Sequence, residues 1–230
     1  RRDAVYPATV VGVPPEEDAY IAKATEKIFL APIRLAVQPE VEDLWMPTAG
    51  TAHNLAVVSI DKRYRGQAHK VAQALWGAGQ MMFNKYLVIT SAETPIRSFG
   101  ALAALLRRCD LRQCMIRSEG ILDVLDHATA TCGFGGKLAL DLTDTDPAAV
   151  PDVTLPSEAH PAGGIELYDT RHVVDLGLVI LYAEASRPDK VDMEAYLREN
   201  GFSGVRYAVV FDYQAAGAMR DEDLLWLAAA

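Results

Sequence analysis

Apolar residues recur along the chain in blocks with two different spacings. One block has the helical spacing i, i+3, i+4, i+7 and i+8, which predicts an amphipathic helix over residues 66–78. Its members are Ala68, Val71, Ala72, Leu75 and Trp76. Short continuous apolar runs such as residues 85–89 are instead typical of strands covered on both faces.

Extended to the whole chain, the same two patterns predict strands at 9–13, 55–60, 85–89, 115–116 and 138–142. Helices are predicted from Glu16 onward, over 66–78 and over 98–108, with Pro32 expected to end or kink the first of them. Strands that alternate with helices indicate an α/β fold. We therefore expect three layers, with a mostly parallel sheet and helices on both faces.

One stretch of the pattern occurs twice. Both residues 56–89 and residues 178–210 show the same order of features: an apolar strand, a polar loop, a helix that ends at a glycine, a basic residue followed by tyrosine, and a second apolar strand. This predicts a partial second copy of the strand-helix-strand unit, unless two unrelated units merely look alike. The proline-rich residues between the copies indicate a linker or a long surface loop. The predicted domains are therefore 1–145 and a truncated repeat at 165–230, joined by a linker at 146–164.

Composition narrows the class of protein. The chain has 230 residues, of which 50% are hydrophobic and 23% charged, as in a globular protein. A net charge of −9 argues against nucleic acid or an anionic membrane as the main partner. No apolar run is long enough to predict a membrane span. The closing sequence RDEDLLWLAAA has the pattern of a helix without an end signal, which indicates a fragment of a longer protein.

Three cysteines, Cys109, Cys114 and Cys132, stand at no spacing that suggests a disulfide or a zinc site. They predict a reducing, cytoplasmic location. The five histidines do not pair with another ligand at helical spacing, and we expect them to be solvated or structurally bonded. They are His53, His69, His127, His160 and His172.

Two further stretches carry polar groups that chemistry could use. Asp141, Asp144 and Asp146 follow a predicted strand, as carboxylates do in some magnesium sites, but an ordinary Asp-rich turn fits them better. Residues 127–137 hold three glycines and end in Lys137, which could meet an anion. The sequence leaves two interpretations of this segment open, a loop that faces a ligand and a plain turn.

An unusual corner lies between the helix at 66–78 and the strand at 85–89. Met81, Met82 and Phe83 stand in a row just after Gly79, where polar residues are common. An apolar connection of this kind either packs under a neighbouring element or lines a pocket. The residues alone leave both possibilities open.

Four stretches together resemble the C-terminal part of the UbiD-type decarboxylases, which are aromatic and α,β-unsaturated acid carboxy-lyases that use prenylated FMN. The stretches are GVPPEED at 12–18, HNLAVVSIDKRYRGQAHKV at 53–71, LWGAGQMMFNK at 75–85 and LDHATATCGFGGKLALD at 125–141. The resemblance covers about residues 6–145 and is closest to the branch annotated for menaquinone biosynthesis.

The resemblance implies that prenylated FMN, a divalent Mn or Mg ion and the catalytic Arg–Glu–Glu network belong to upstream domains of the full-length protein. No catalytic residue and no metal ligand is therefore expected in this chain, and no cofactor in the isolated fragment. The domain is expected to supply a wall of the substrate pocket and a dimer contact. The expected pocket residues are Gln80, Met82, Asn84, Lys85, Cys132, Phe134 and Lys137.

The resemblance further implies an aromatic carboxylic acid as substrate, the N-terminal flavin-binding domains of the same chain as partner, and a homo-oligomer. Gly77-Ala78-Gly79 stands where some members carry a basic residue near the flavin phosphate. Either Lys85 substitutes for that residue, or the missing domains bind the phosphate. The competing hypothesis for the whole chain is a non-catalytic α/β module whose role is oligomerisation.

Overall fold

A computed structural model describes residues 16–50, 54–123, 126, 129, 131–145, 152–169, 177–183 and 192–212. Its helices are α1 (Glu16–Pro32), α2 (Gln67–Trp76), α3 (Phe99–Arg108), α4 (Leu111–Cys114) and α5 (Met193–Glu199). Its strands are β1 (Val41–Trp45), β2 (Leu55–Ile60), β3 (Tyr86–Ser91), β4 (Met115–Ile121), β5 (Phe134–Asp141), β6 (Ile165–Asp169), β7 (Leu178–Ala183) and β8 (Tyr207–Asp212). The predicted strand at 9–13 lies outside these residues.

The first sheet has five strands in the order β1-β2-β3-β5-β4. Its two central pairings, β2 with β3 and β3 with β5, are parallel, as the sequence predicted. Both edge strands are antiparallel to their neighbours. Antiparallel neighbours need only a short connection, and here residues 46–54 and 122–133 separate the paired strands.

Helices cover both faces of this sheet, which confirms the predicted α/β fold. Ala56, Val58 and Ile60 of β2 share a buried cluster with the apolar face of α2 and with Ala22 of α1. Val57, between them in sequence, belongs instead to a cluster with Leu102 of α3. Since successive side chains of a strand point to opposite faces, the two clusters lie on opposite sides of the sheet.

Helix α1 ends where the sequence predicted. Pro32 is its last residue, and a π-helical turn, Ile33–Val37, carries the chain on toward β1. A proline inside a helix disrupts the regular i to i−4 hydrogen bonding, which accounts for the change of helix type. Helix α2 also ends as predicted, with Gly77 at its C-cap.

The described residues separate into two compact units, the first drawn from 16–102 and 109–145, the second from 103–108 and 152–212. The second unit contains a three-stranded sheet in the order β6-β7-β8. Its core places Val179 and Leu181 of β7 against Tyr196 of α5. The stretch before β6 joins this unit, since Thr154 and Ser203 exchange two backbone hydrogen bonds.

The second sheet repeats the first three strands of the first sheet. In both units an antiparallel pair is followed by a parallel pair, and the connecting helix lies between the parallel strands. The antiparallel pairs even share an irregularity in register, between Val41 and Asp43 and between Ile165 and Leu167. The predicted partial second copy of the strand-helix-strand unit is therefore present, and in each copy an antiparallel strand precedes it.

The cysteine expectation was wrong in one respect. Cys109, just before the short helix α4, and Cys114, its last residue, are both buried and joined by a disulfide, while Cys132 is free and exposed. A one-turn helix brings residues five apart close enough to bond, which a search for longer disulfide spacings overlooks. The argument from unpaired cysteines for a reducing location therefore fails.

Among the described helices, none combines the length and the apolar character that crossing a membrane requires.

Candidate functional site

The apolar corner is a single 3₁₀ turn, Gly79–Phe83, between α2 and β3. Gly79 takes a positive φ of 52°, a conformation that favours glycine and lets the chain reverse at once after the helix. Met81 is buried in the main core, whereas Met82 and Phe83 are half-buried and Gln80 is exposed. The corner therefore both packs under its neighbours and presents apolar surface.

Asn84 fixes this corner from inside. Its side-chain Oδ1 accepts a hydrogen bond from Trp76 Nε1 at 3.0 Å, and its Nδ2 donates to the carbonyl oxygens of Asn54 at 3.3 Å and Tyr86 at 2.8 Å. The residue has no exposed surface. A fully bonded buried amide ties the end of α2 to the starts of β2 and β3, so it shapes the corner and has no group left over for a ligand.

Lys137 fixes the same corner from the neighbouring strand. Its Nζ donates to the carbonyl oxygens of Met82 and Asn84, both at 2.6 Å, and lies 5.9 Å from the centre of the Trp76 ring. Gly120 on β4 leaves room for the lysine stem, because a Cβ there would lie 3.0 Å from Lys137 Cε. The ammonium thus closes the turn by binding two of its carbonyl groups.

Burial lowers the pKa of Lys137 from 10.5 to about 8. Between these values the unfolded chain holds more protons than the folded one, so the free energy of unfolding should rise with pH. We expect a rise of about 2 kcal/mol between pH 7 and pH 10 that the Lys137→Met variant lacks. Urea unfolding of both proteins at several pH values measures it, and equal slopes in the two proteins would refute the assignment.

Lys85 is the third fixed group. Its Nζ lies 2.8 Å from Asp126 Oδ2, with the lysine side chain 8% exposed and the aspartate side chain 0% exposed. The same Nζ lies 5.4 Å from the centre of the Tyr86 ring. A buried charge needs a partner of opposite sign, and Asp126 supplies one from the loop after β4. Lys85 is therefore committed to an internal ion pair.

The remaining predicted pocket residues lie at the loop end of the β4–β5 hairpin, where the connection between the two strands begins and ends. Cys132 is exposed, Gly133 takes a positive φ of 74°, and Phe134 is 49% exposed. Phe134 is paired in register with Ile121, which is 50% exposed. Two large apolar side chains exposed side by side form a surface that another molecule or domain can cover.

A groove of about 630 Å³ runs beside Lys137 across β4 and β5. Its lining residues are Tyr86, Arg117, Ser118, Glu119, Gly136, Lys137 and Leu138. Of the seven predicted pocket residues it includes only Lys137. The structure thus brings Asn84, Lys85 and Lys137 together behind the corner. The other four predicted pocket residues are exposed or half-buried: Gln80, Met82, Cys132 and Phe134.

The other candidates from the sequence have structural partners or are solvated. Asp141 accepts a hydrogen bond from the backbone N–H of Thr143 at 3.0 Å, as the turn interpretation predicts, and Asp144 pairs with Lys62. Within the described residues no three His, Cys, Asp or Glu side chains are grouped as a metal site. His69 and His160 are exposed, as expected. His53, His127, His172 and Asp146 lie outside the described residues.

Sequence reasoning missed Asp126, Trp76 and Asn54 as parts of the site. Asp126 lies next to His127 in the stretch LDHATATC. Asp126 follows two apolar residues, Val124 and Leu125, and an acid in such a position is a signal for a buried partner, because an unpaired carboxylate is rarely fully buried. The role of Asn54 is carried by its backbone carbonyl, which has no sequence signal.

The second copy has not kept this corner. Tyr207 occupies the register position of Tyr86, since the two pair with Leu178 and Leu55 respectively. The residue two before it is Val205, which has no amide to repeat the bonds of Asn84. The preceding Arg206 donates to the carbonyl of Arg107 at 2.7 Å in the part of α3 that belongs to the same unit. The repeated basic-Tyr pair therefore serves a different contact.

The family model described as the 3-octaprenyl-4-hydroxybenzoate carboxy-lyase C-terminal domain matches residues 19–142, which are more than half of the chain. An uncharacterized protein of Aquifex aeolicus is 44% identical over 144 residues, which make up 62% of this chain and 29% of the relative. The chain thus spans less than a third of the length of this relative.

Solved structures show the same fold. The UbiD-class enzyme of Pelotomaculum thermopropionicum in complex with FMN has a TM-score of 0.50 at 22% identity, over 61% of this chain and 32% of that one. Vanillic acid decarboxylase of Sedimentibacter hydroxybenzoicus in its open form has a TM-score of 0.52 at 23% identity, over 67% of this chain and 33% of that one.

Proposed function

This chain belongs to the family of the 3-octaprenyl-4-hydroxybenzoate carboxy-lyase C-terminal domain, and on that premise we propose that it is the substrate-pocket and dimerisation domain of a prenylated-FMN-dependent, non-oxidative decarboxylase. The proposed substrate is an aromatic acid of quinone biosynthesis, as in the menaquinone branch. We propose that the domain has no activity alone and that the full-length protein is cytoplasmic. The location rests on family membership only, because the disulfide removes the argument from the cysteines.

The observation that carries the proposal is the division of the predicted site into a fixed inner layer and an exposed apolar outer layer. Asn84, Lys85 and Lys137 are buried and bonded to the protein itself. Met82 and Phe134 are the half-buried and exposed apolar members. A rigid inner layer that holds apolar side chains outward is what a pocket wall needs, since ligand pockets are mostly apolar and largely pre-formed.

Within the described residues, neither the lysines of the predicted pocket nor any cluster of carboxylates fits a flavin phosphate or its metal. Within the described part of the chain no three ligand-type side chains stand together, and the ammonium groups of Lys85 and Lys137 are bound to an aspartate and to backbone carbonyls. We therefore propose that the flavin, its Mn or Mg ion and the acid–base residues lie in the upstream domains. No step of the decarboxylation is assigned to this chain, whose residues only border and orient the substrate.

The test uses the full-length protein, expressed with a flavin prenyltransferase. We expect a flavin absorption spectrum and decarboxylation of an aromatic acid in the full-length protein, and neither in the 230-residue chain. Phe134→Ala should lower kcat/KM about tenfold, mainly through KM, because it removes apolar contact with the substrate. Tyr64→Ala, which alters an exposed aromatic side chain elsewhere in the same unit, serves as the control.

The alternative is a non-catalytic assembly module, which the exposed apolar surfaces also fit. A full-length protein that binds no flavin and releases no carbon dioxide from any aromatic acid would favour this alternative. A full-length protein with flavin whose kinetics are unchanged in Phe134→Ala would keep the enzyme class and remove Phe134 from the pocket. The two outcomes are distinguishable because the spectrum and the kinetics are separate readouts.

A further inference from the structure

The far edge of β8 has no neighbour among the strands that the structure describes. The second sheet has the order β6-β7-β8, so β8 pairs only with β7. The corresponding strand of the first copy, β3, lies between β2 and β5 and pairs with both of them in parallel. The described part of the second unit therefore has no counterpart of β5.

The backbone of β8 matches that of β3 in detail. The tyrosine that begins each strand is in register with the first residue of the partner strand, and six consecutive residues pair in parallel in each copy. In each copy the N–H of the residue before this tyrosine donates to the carbonyl of the residue before the partner strand, at 3.2 Å and 2.9 Å respectively. Leu87 and Ile89 of β3 therefore correspond to Ala208 and Val210 of β8.

The first copy shows which backbone groups of such a strand face its second neighbour. The N–H of Leu138 donates to the carbonyl of Lys85 at 2.9 Å. The N–H of Leu142 donates to the carbonyl of Ile89 at 2.8 Å. Alternate residues of a strand direct their backbone groups to the same side, so Leu87 also faces β5. The counterparts of Leu87 and Ile89 in β8 therefore direct their N–H and C=O groups to the open edge.

Burial differs between the two copies in the way that a missing neighbour predicts. Leu87 is 1% exposed and Ile89 is 0% exposed, whereas Ala208 and Val210 are only half-buried. Both residues of β8 still pack against the core cluster of the second unit. A row of unpaired N–H and C=O groups at a sheet edge is a template for another strand. The edge of β8 is therefore a surface that can bind a strand in a defined register.

We propose that this edge binds one more strand in parallel, in the place that β5 takes beside β3, and that the strand is a segment of the full-length protein that follows residue 230. The second unit would then contain the same row of three parallel strands as the first, and would be the beginning of a second domain of the same kind. This inference goes beyond the proposed function and does not depend on flavin binding or decarboxylation.

The repeat itself indicates where the strand comes from. A parallel neighbour needs a crossover of about a dozen residues or more, usually with a helix. Residues 217–228, GAMRDEDLLWLA, have the sequence pattern of a helix, as α3 has after β3. The order of strand and then helix is the order that precedes β5 in the first copy. A second copy of this chain fits less well, because a two-fold axis normal to the sheet would pair two β8 edges antiparallel.

The first test compares the exchange of single backbone amides in the 230-residue chain and in the full-length protein, by hydrogen–deuterium exchange with residue-resolved mass spectrometry. We expect the N–H groups of Ala208 and Val210 to exchange at least about 100-fold more slowly in the full-length protein, because the added strand would accept their hydrogen bonds. The N–H of Val209 faces β7 and should be protected equally in both proteins. Equal exchange of all three amides in the two proteins would overturn the proposal.

A pair of proline variants tests the direction of the backbone groups. Ala208→Pro removes an N–H that faces the open edge, where proline is tolerated, so the melting temperature of the 230-residue chain should stay within about 3 °C of the wild type. Val209→Pro removes an N–H that faces β7 and should lower it much further. In the full-length protein, Ala208→Pro should speed the exchange of the Val210 N–H at least about tenfold. An unchanged rate there would contradict the proposal.

The remaining outcomes identify other occupants of the edge. Slow exchange of the Ala208 and Val210 amides in the 230-residue chain would show that the chain itself covers the edge, or that a second copy does if the rate depends on protein concentration. Either result overturns the proposal. The flavin spectrum of the same full-length sample tests the proposed function separately. Slow exchange without flavin would leave this inference standing, whereas flavin together with a fast-exchanging β8 edge would remove this inference alone.

Discussion

Replacing Lys85 with methionine is expected to lower the free energy of unfolding by about 3–5 kcal/mol. The substitution keeps most of the apolar stem but removes the ammonium that lies 2.8 Å from Asp126 Oδ2. The side chain of Asp126 has no exposed surface, so its charge would be left inside the protein without this partner. Urea-induced unfolding at pH 7, followed by circular dichroism, measures the change.

The control for this prediction is the double variant Lys85→Met with Asp126→Leu. A buried ion pair replaced by apolar residues of similar size often costs little, whereas removal of one charge costs much. We therefore expect the double variant to recover at least about half of the stability lost in Lys85→Met. A single variant as stable as the wild type would show that Lys85 and Asp126 do not form the pair in solution.

Replacing Asn84 with alanine is expected to destabilise the chain by about 2–4 kcal/mol. The substitution leaves the Trp76 indole N–H without its acceptor at 3.0 Å and removes both amide donor bonds, all in a site with no exposed surface. A buried donor without a partner costs its full desolvation penalty. Thermal unfolding measures the loss, and tryptophan fluorescence should change in the folded variant.

Gln80→Ala is the matched control for Asn84→Ala, since it removes an amide in the same corner at an exposed position. Surface substitutions of this kind usually change stability by less than about 0.5 kcal/mol. Equal effects of the two variants would mean that the bonds of Asn84 contribute nothing to stability. In the full-length protein, Asn84→Ala should also raise KM, because the proposed pocket wall depends on the turn that this amide holds.

Together these variants test whether the corner is a preorganised wall. Met82 and Phe134 are the residues proposed to contact substrate, while Asn84, Lys85 and Lys137 would act only by positioning the turn. A positioning role predicts that stability and kinetics change together in the buried variants. A change in kinetics alone at Phe134 would separate contact from positioning.

Much of the fold could be predicted from residue patterns, because helices and buried strands leave a periodic trace in the chain. The strand at 55–60, the helix that ends at Pro32 and the repeat of the strand-helix-strand unit were all predicted and are present. Strand β1 was missed because five residues with mixed polarity give too little periodicity. The domain boundaries at 145 and 165 remain a prediction.

The sequence by itself determined the α/β class, the duplication, the apolar corner and the set of residues from which a site could be built. Only the tertiary structure decided which of them face outward. Lys85 and Arg206 occupy equivalent places in the two copies, yet one meets a buried aspartate and the other a helix carbonyl. A side chain's role depends on partners that are distant in sequence, and local patterns carry no record of those contacts.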